Sequence, residues 1–325
     1  MSNLGERSAA ACRGPQTGRV QPLSPLGDVI AGSRVRLARA LRGRVAGSDA
    51  PARAAVIWGT PGPRWFTPDD EIWRVHLDAA MFVGGIRALL LQSLHPLAMA
   101  GVAGHSGYKS DPWGRLQRTS YYLASTTFGT IEHAESVIAT VRGIHDRVRG
   151  RAPDGRPYAA SDPHLLGWVH VAEIDSFLAA YQAYGPRPLT DAESDRYVAQ
   201  AGWAAGRLGV TDPPRTVQQL RDRLASYRPE LTGTPAAREA ARFLLLEPPL
   251  PTAQRAGYAL LSAGALAILP TWARRELELP VVPGLDTLGG RPAGRVAAAA
   301  VRWALSDPSE AKHRQVPGPG VRVAR

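Results

Sequence analysis

Residues 130–150 read Thr-Ile-Glu-His-Ala-Glu-Ser-Val-Ile-Ala-Thr-Val-Arg-Gly-Ile-His-Asp-Arg-Val-Arg-Gly, and this stretch indicates the kind of fold that the chain forms. Thr130 suits a helix N-cap and Gly150 a C-cap, so we predict one helix between them. The 3.6-residue period places His145 on one stripe with the apolar residues Ala134, Ile138, Val141 and Val148. The pattern therefore predicts a helix that turns a histidine toward an apolar core.

The buried position of His145 has two readings. An imidazole on an apolar stripe is costly unless its nitrogens find partners, so the ring either hydrogen-bonds to its neighbours or coordinates a metal centre. The first reading is the commoner one for a single histidine. Arg142 and Arg149 lie one helical turn on either side, and two such cations suit the two carboxylates of a haem. The residues alone leave both readings open.

The composition is that of a globular protein with a substantial core. The chain has 325 residues, of which 44% are hydrophobic and 21% charged. Its single cysteine, Cys12, excludes an internal disulfide framework and a cysteine-rich metal site. Residues 1–16 contain no apolar segment of the kind found in secretory signals, so we expect a cytoplasmic protein. The net charge of +11 comes from arginines scattered along the chain, and we expect no nucleic-acid binding.

Capping signals and helical periodicity recur along the chain, and no alternating strand pattern is longer than four residues. We predict an all-α fold with a single large multi-helix domain at 56–305, a flexible basic arm with a short helix at 1–55, and a disordered tail at 306–325. The predicted helices span about 67–94, 112–127, 130–150, 163–184, 190–208, 214–227, 235–246, 252–269 and 294–305.

Two apolar runs require a test for membrane spanning. Residues 256–272 are at the short limit for a span, and residues 79–104 contain Arg87, His95 and Pro96. We interpret both runs as core helices, so we expect no transmembrane segment, while peripheral contact with a membrane stays open. Four glycines in the second run allow close approach of a neighbouring helix or a flat cofactor; they are Gly84, Gly85, Gly101 and Gly104.

Other polar residues could take part in a site. His170 shares a stripe with Glu173, and it is either a second ligand or a hydrogen-bonding residue. His95 precedes Pro96, so its ring either caps a carbonyl or faces the same cavity as His145. Arg115 and Thr119 share a helix face with Arg118, which is either a solvated surface or an anion contact. No phosphate-binding loop, hydrolase elbow or zinc-protease motif is present.

Several of these motifs occur together and in a fixed order. They are Leu94-His-Pro-Leu-Ala-Met-Ala-Gly-Val102, Asp111-Pro-Trp-Gly-Arg-Leu-Gln-Arg-Thr119, Phe128-Gly129, Arg142-x-x-His145-x-x-x-Arg149-x-Arg151, Asp162-Pro163 and Trp168-Val-His170. In this order the chain resembles the oxygenase family that includes the latex-clearing rubber oxygenases and the fungal oxygenase MpaB. The resemblance runs from about Trp73 to Leu279.

The resemblance implies an all-helical, distantly globin-like fold that encloses haem b, with His145 as the proximal iron ligand. Arg142 and Arg149 match arginines that accompany that ligand, while Arg115 and Thr119 match polar residues near the cofactor. His170 matches a further family histidine. Dioxygen or peroxide would be the oxidant, and an apolar small molecule the substrate.

Two departures from the rubber oxygenases stand out. Arg118 replaces a lysine that can occupy the open iron position, and a guanidinium stays charged and cannot do so. Asp111 is the only acid between His95 and Arg115, where those enzymes use a glutamate as a base. We therefore predict an oxygenase that does not cleave polyisoprene. A non-catalytic carrier or sensor of haem or lipid, and a helical DNA-binding regulator, are the alternatives.

Overall fold

The computed structural model describes residues 34–38, 41, 43–45, 47, 49–105, 107 and 109–306. Most of the predicted N-terminal arm, with much of its short helix, and nearly all of the predicted tail lie outside these residues.

The described chain is helical apart from one small sheet, as the sequence predicts. The helices are α1 (Ala50–Ala54), α2 (Glu71–Leu77), α3 (Ala80–Gln92), α4 (Pro96–His105), α5 (Pro112–Phe128), α6 (Ile131–His145), α7 (Pro163–Tyr184), α8 (Asp191–Leu208), α9 (Val217–Ser226), α10 (Pro235–Leu246), α11 (Thr252–Ala267), α12 (Thr271–Glu276) and α13 (Arg291–Leu305). Strands β1 (Arg149–Arg151) and β2 (Pro157–Ala159) pair antiparallel, with Gly150 opposite Tyr158. Residues Ala55–Gly59 and Asp286–Gly290 form π-helical turns, and Arg228–Glu230 form a 3₁₀ turn.

The helix starts around the site follow the predicted caps. The Asp111 carboxylate accepts a hydrogen bond from the Gly114 amide at the start of α5. Thr130 caps α6 through the His133 amide, and Asp162 caps α7 through the His164 amide. Each side-chain oxygen satisfies an amide that has no partner inside the helix, so these starts are fixed by local sequence.

Three predictions about helix boundaries are wrong. The segment 67–94 begins its helix at Glu71 and not at Pro68, and it is two helices, α2 and α3, which meet at 89°. The break falls at Asp78, whose backbone is extended and whose carboxylate accepts from the Ala80 amide, so this residue starts a new helix. Pro96 begins α4, which the sequence analysis did not predict, because a proline is tolerated in the first turn of a helix.

The third correction is at the end of the His145 helix. Helix α6 ends at His145 and not at Gly150, because the chain turns and enters β1. The Ala160 amide donates to the Val148 carbonyl and continues the pairing beyond the strands. His145 therefore lies at a helix end, where the chain changes direction.

Helix α7 is the centre of the molecule. It packs along α3, and α11 and α13 form a pair that packs against α3 in turn. Helices α5 and α6 pack together; α5 also contacts α2, and α6 also contacts α8. Gly84 permits the close crossing of α3 and α7, because a Cβ there would lie 3.2 Å from the Cα of Phe177. This confirms a predicted close helix approach.

Among the described residues, no single helix has the length and apolar character needed to cross a membrane. Helices α2 and α3 meet those criteria only when they are taken together across their bend.

Candidate functional site

His145 is not a satisfied core histidine. The ring is half-buried at the last residue of α6, and its Nδ1 is buried without a hydrogen-bond partner. Its Nε2 makes no hydrogen bond to any described residue. Burial lowers the pKa of His145, while the nearby Asp146 carboxylate opposes that shift. The ring is therefore held neutral, and a neutral imidazole is the form that ligates metals.

Helices α5 and α6 pack together on either side of the turn at Gly129. Close to that turn, the Tyr121 hydroxyl lies 3.2 Å from Nε2 of His133. Arg115 is half-buried near the start of α5, and His145 is the last residue of α6, so each lies toward the end of its helix that is remote from the turn in sequence.

Tyr122 on α5 and Glu173 on α7 are polar groups that the protein encloses deeply. The direct backbone packing of α7 against α5 and α6 is sparse compared with its packing on α3, and Tyr122 packs against the main hydrophobic core. Both side chains keep some accessible surface. We call these two residues, together with the polar residues of α2, α7 and α8 described next, the polar cluster.

Glu173 is an acidic member of the polar cluster. Burial raises its pKa to about 7, so it exchanges a proton near neutral pH. Burial raises the pKa of Tyr122, and the Glu173 carboxylate raises it further. The same two causes act on Tyr197 of α8, where burial is again the larger and Asp175 adds to the effect. Glu173 therefore interacts electrostatically with the facing helices α5 and α8.

His170 lies one turn before Glu173 on α7. Its side chain is buried, and its Nε2 has no hydrogen-bond partner. Burial lowers the pKa of His170 to about 4, so the ring is neutral at physiological pH. Because i and i+3 residues share a helix face, His170 and Glu173 point to the same side of α7. No hydrogen bond or ring contact between described residues joins His170 to His145.

His76 of α2 also belongs to the polar cluster. Its Nδ1 lies 2.8 Å from the Thr127 hydroxyl, and its Nε2 lies 3.4 Å from the Tyr197 hydroxyl. The ring also contacts Phe177, with 5.6 Å between centroids. Burial lowers the pKa of His76 to about 3. A neutral histidine thus connects α2 to α5 and α8.

The remaining predicted arginines lie at the surface. Arg142 and Arg149 are exposed, and Arg149 donates to the backbone carbonyl of Asp146. Neither pairs with a carboxylate of the described chain. Arg118 is exposed and pairs with Asp111, whose Oδ2 lies 3.2 Å from Nη1, and Thr119 is exposed as well. Arg142 and Arg149 therefore carry charge that is free to meet an anionic group near His145.

His95 takes a place that neither sequence reading anticipated. The ring is almost fully buried, and its Nε2 lies 3.3 Å from the Glu230 carboxylate. His164 contacts the same carboxylate. The cofactor-binding role predicted for His95 stays a prediction. In the structure its ring lies beside Glu230 and His164.

A surface groove of about 360 Å³ lies elsewhere, between α7, α8 and α9. Its lining includes Asp175, Asp195 and Arg221, and none of the predicted site residues.

The fold and the polar cluster define a helical protein whose interior carries neutral histidines and a carboxyl group with a raised pKa. Over residues 73–303 the chain matches the family described as "ER-bound oxygenase mpaB/B'/Rubber oxygenase, catalytic domain", and it belongs to that family. Comparisons with curated proteins and with solved structures found no significant match. The resemblance stated from the motifs is thereby confirmed, and the family is an oxygenase catalytic domain.

Most residues of the polar cluster were not predicted from the sequence. Glu173 was noted only as a member of the His170 stripe, and Tyr122, Tyr197 and His76 were not singled out. An acid within the otherwise apolar run of α7 was the available signal for Glu173. The other three come from separate helices, and no local pattern joins them.

Proposed function

We propose that this protein is a haem b-dependent oxygenase that holds the iron through His145 and acts on an apolar small molecule. The observation that carries the proposal is the neutral imidazole of His145 with a buried, unpaired Nδ1. A hydrogen-bonded core histidine would leave no such atom, since an unsatisfied buried polar group costs about 1–3 kcal/mol. Membership in an oxygenase family adds independent support.

A flat group would lie between α7 and the helices α5 and α6, where the backbone packing is sparse. Arg142 and Arg149 flank the ligand histidine and have no carboxylate partner among the described residues, so they suit the two propionates. We propose Arg115, half-buried near the start of α5, as the third cation of this site. A bound haem would supply the activation of dioxygen or peroxide.

The chain's own residues would handle the proton and the substrate. Glu173 carries or releases a proton near neutral pH because its pKa is about 7. We propose it as the acid–base residue of the pocket, in place of the glutamate that rubber oxygenases have before Arg115. The aromatic and apolar lining, including Phe177, would bind an apolar substrate and exclude water. Arg118 is paired with Asp111 at the surface, which supports an iron position left open to the oxidant.

A non-catalytic haem carrier is the second candidate, and Glu173 argues against it. A carrier needs the ligand histidine, but it has no use for a buried carboxyl group whose pKa is raised to about 7. Oxygen consumption with a panel of apolar substrates separates the two, because a carrier shows none.

The haem assignment is tested with the absorption spectrum and iron content of His145→Ala. We expect wild type to bind one haem and to show a Soret band, and the variant to lose at least tenfold in haem affinity. Added imidazole should restore the band, because it can enter the space that the ring leaves.

His133→Ala is the matched control, since His133 lies on the same helix and bonds to Tyr121 and Ser125 instead. It should keep the wild-type spectrum. A Soret band and iron content that are the same in wild type and in His145→Ala would refute the assignment.

A further inference from the structure

Three ligand-type side chains from three separate segments of the chain lie close together. His95 lies in the turn between α3 and α4, His164 in the first turn of α7, and Glu230 at the end of the 3₁₀ turn. One ligand atom from each lies within 4.8 Å of the other two. We propose that these residues form a binding site for a divalent transition metal ion of the zinc class, separate from the haem site.

The distances already approach those of a metal site. Nε2 of His95 lies 3.3 Å from Oε2 of Glu230, and Nε2 of His164 lies 2.9 Å from the same oxygen. In a tetrahedral zinc site with bonds of about 2.0–2.1 Å, neighbouring ligand atoms are roughly 3.3 Å apart. Both histidine–carboxylate distances are close to this separation, and the two imidazole nitrogens lie within 4.8 Å of each other.

The chemistry of the donors selects the class of ion. Two imidazoles and one carboxylate are the ligands of zinc sites that keep a fourth position open, and they also suit Co²⁺ and Fe²⁺. Ca²⁺ and Mg²⁺ prefer all-oxygen ligands. Without a cation, two imidazoles share a single carboxylate, and Nδ1 of His95 is buried without a partner.

Hydrogen bonds fix the backbone segments that carry the three side chains. The Asp162 carboxylate accepts from the His164 amide, and the Tyr227 hydroxyl donates to the His164 carbonyl at 2.8 Å. The Thr232 amide donates to the Leu94 carbonyl at 2.9 Å, which ties the Glu230 segment to the His95 turn. Such outer contacts orient ligands and raise metal affinity.

The site is closed on one side and open on the other. His95 is 1% exposed, and Trp168 and Tyr227 pack beside it. The His164 side chain is 52% exposed and that of Glu230 39%, so an ion can enter from solvent. An ion here would join the start of α7 to the α3–α4 turn. Because it would bind only the folded state, it should stabilise the protein.

The test uses untagged, full-length protein dialysed against a chelator, a treatment that does not extract haem iron. We expect one equivalent of Zn²⁺ to bind by calorimetry and to raise Tm. Co²⁺ should give the strong visible bands of tetrahedral coordination. Both His164→Ala and Glu230→Gln change half-exposed side chains, and each should weaken Zn²⁺ binding at least 50-fold. Circular dichroism in chelator checks that each variant is folded.

Two controls isolate the site. His105→Ala removes a histidine outside the cluster, and His145→Ala removes the proposed haem ligand; both should bind Zn²⁺ like wild type. Unchanged haem binding in His145→Ala, with Zn²⁺ binding intact, would refute the haem proposal alone. Equal Zn²⁺ affinity in wild type, His164→Ala and Glu230→Gln, or an octahedral Co²⁺ spectrum, would overturn the metal site.

Discussion

Glu173 has a pKa of about 7 against an ordinary value of 4.5, because burial penalises its charged form. The folded protein therefore holds a proton at pH 4.5–7 that the unfolded chain has released. Stability from this residue is fully present below pH 4.5 and is lost as the pH rises through 7. The difference corresponds to at most about 3 kcal/mol.

We predict that Glu173→Gln removes this loss of stability and raises the free energy of unfolding above that of wild type at pH 8. An amide stays neutral at every pH, so the cost of charging disappears. Urea unfolding at several pH values between 4 and 8 measures the effect. His76 and His170 have lowered pKa values and act in the opposite direction as the pH falls below 6.5, so the comparison is the difference between variant and wild type.

Glu132→Gln is the control for this pH series, because Glu132 is exposed on α6. Its unfolding free energy should follow that of wild type at each pH. If Glu173→Gln also followed wild type across the series, the buried carboxyl group would have to ionise as freely as an exposed one.

The sequence predicts the ligand candidate better than its surroundings. His145 was found because its stripe and its two flanking arginines lie within one helix. Glu173 and Tyr122 come from different helices, and their closeness depends on how α5 and α7 are placed. The environment that sets a pKa is tertiary, so a single sequence does not reveal it.

Among the elements, the crossing of α3 and α7 depends on one glycine. A Cβ at Gly84 would lie 3.2 Å from both the Phe177 Cα and the Ser176 carbonyl oxygen. These are backbone atoms, which cannot rotate away as a side chain can. We predict that Gly84→Ala destabilises the protein by about 1–3 kcal/mol, because the two helices must move apart. Thermal and urea unfolding measure the loss.

The neighbouring glycine gives a matched control. A Cβ at Gly85 meets no atom within 4 Å, so Gly85→Ala should stabilise the protein by about 0.5–1 kcal/mol through helix propensity. If both variants changed stability in the same direction and to the same extent, propensity and not the helix crossing would control this position.

Element boundaries divide into those set locally and those set by distant partners. The starts of α5, α6 and α7 follow caps within three residues of each helix, so the sequence predicts them. The end of α6 is different, because β1 forms only when Arg149–Arg151 meets β2. The bend at Asp78 is also poorly marked locally, since its carboxylate faces the distant residue Arg302.

Across the whole molecule, several arginines are buried and connect separate segments through hydrogen bonds and ion pairs. Arg64, Arg87 and Arg274 are at most 4% exposed. Arg64 donates to the carbonyls of Ile57 and Phe128, and Arg87 pairs with Asp175 of α7. Part of the net charge of +11 therefore has a structural use.

Arg302 also links distant parts of the chain, since it joins the last helix to the bend between α2 and α3, 224 residues away in the sequence. Its Nε and Nη2 each lie 2.9 Å from an oxygen of Asp78, and Nη2 also donates to the Tyr184 carbonyl. The Asp78 side chain is 8% exposed, so Arg302→Met leaves a buried carboxylate without its cation, and we expect a loss of about 2–4 kcal/mol in urea unfolding. Arg242→Met breaks an exposed pair with Glu247 and should cost less than about 1 kcal/mol. Equal losses in the two variants would mean that α13 is held by apolar packing alone.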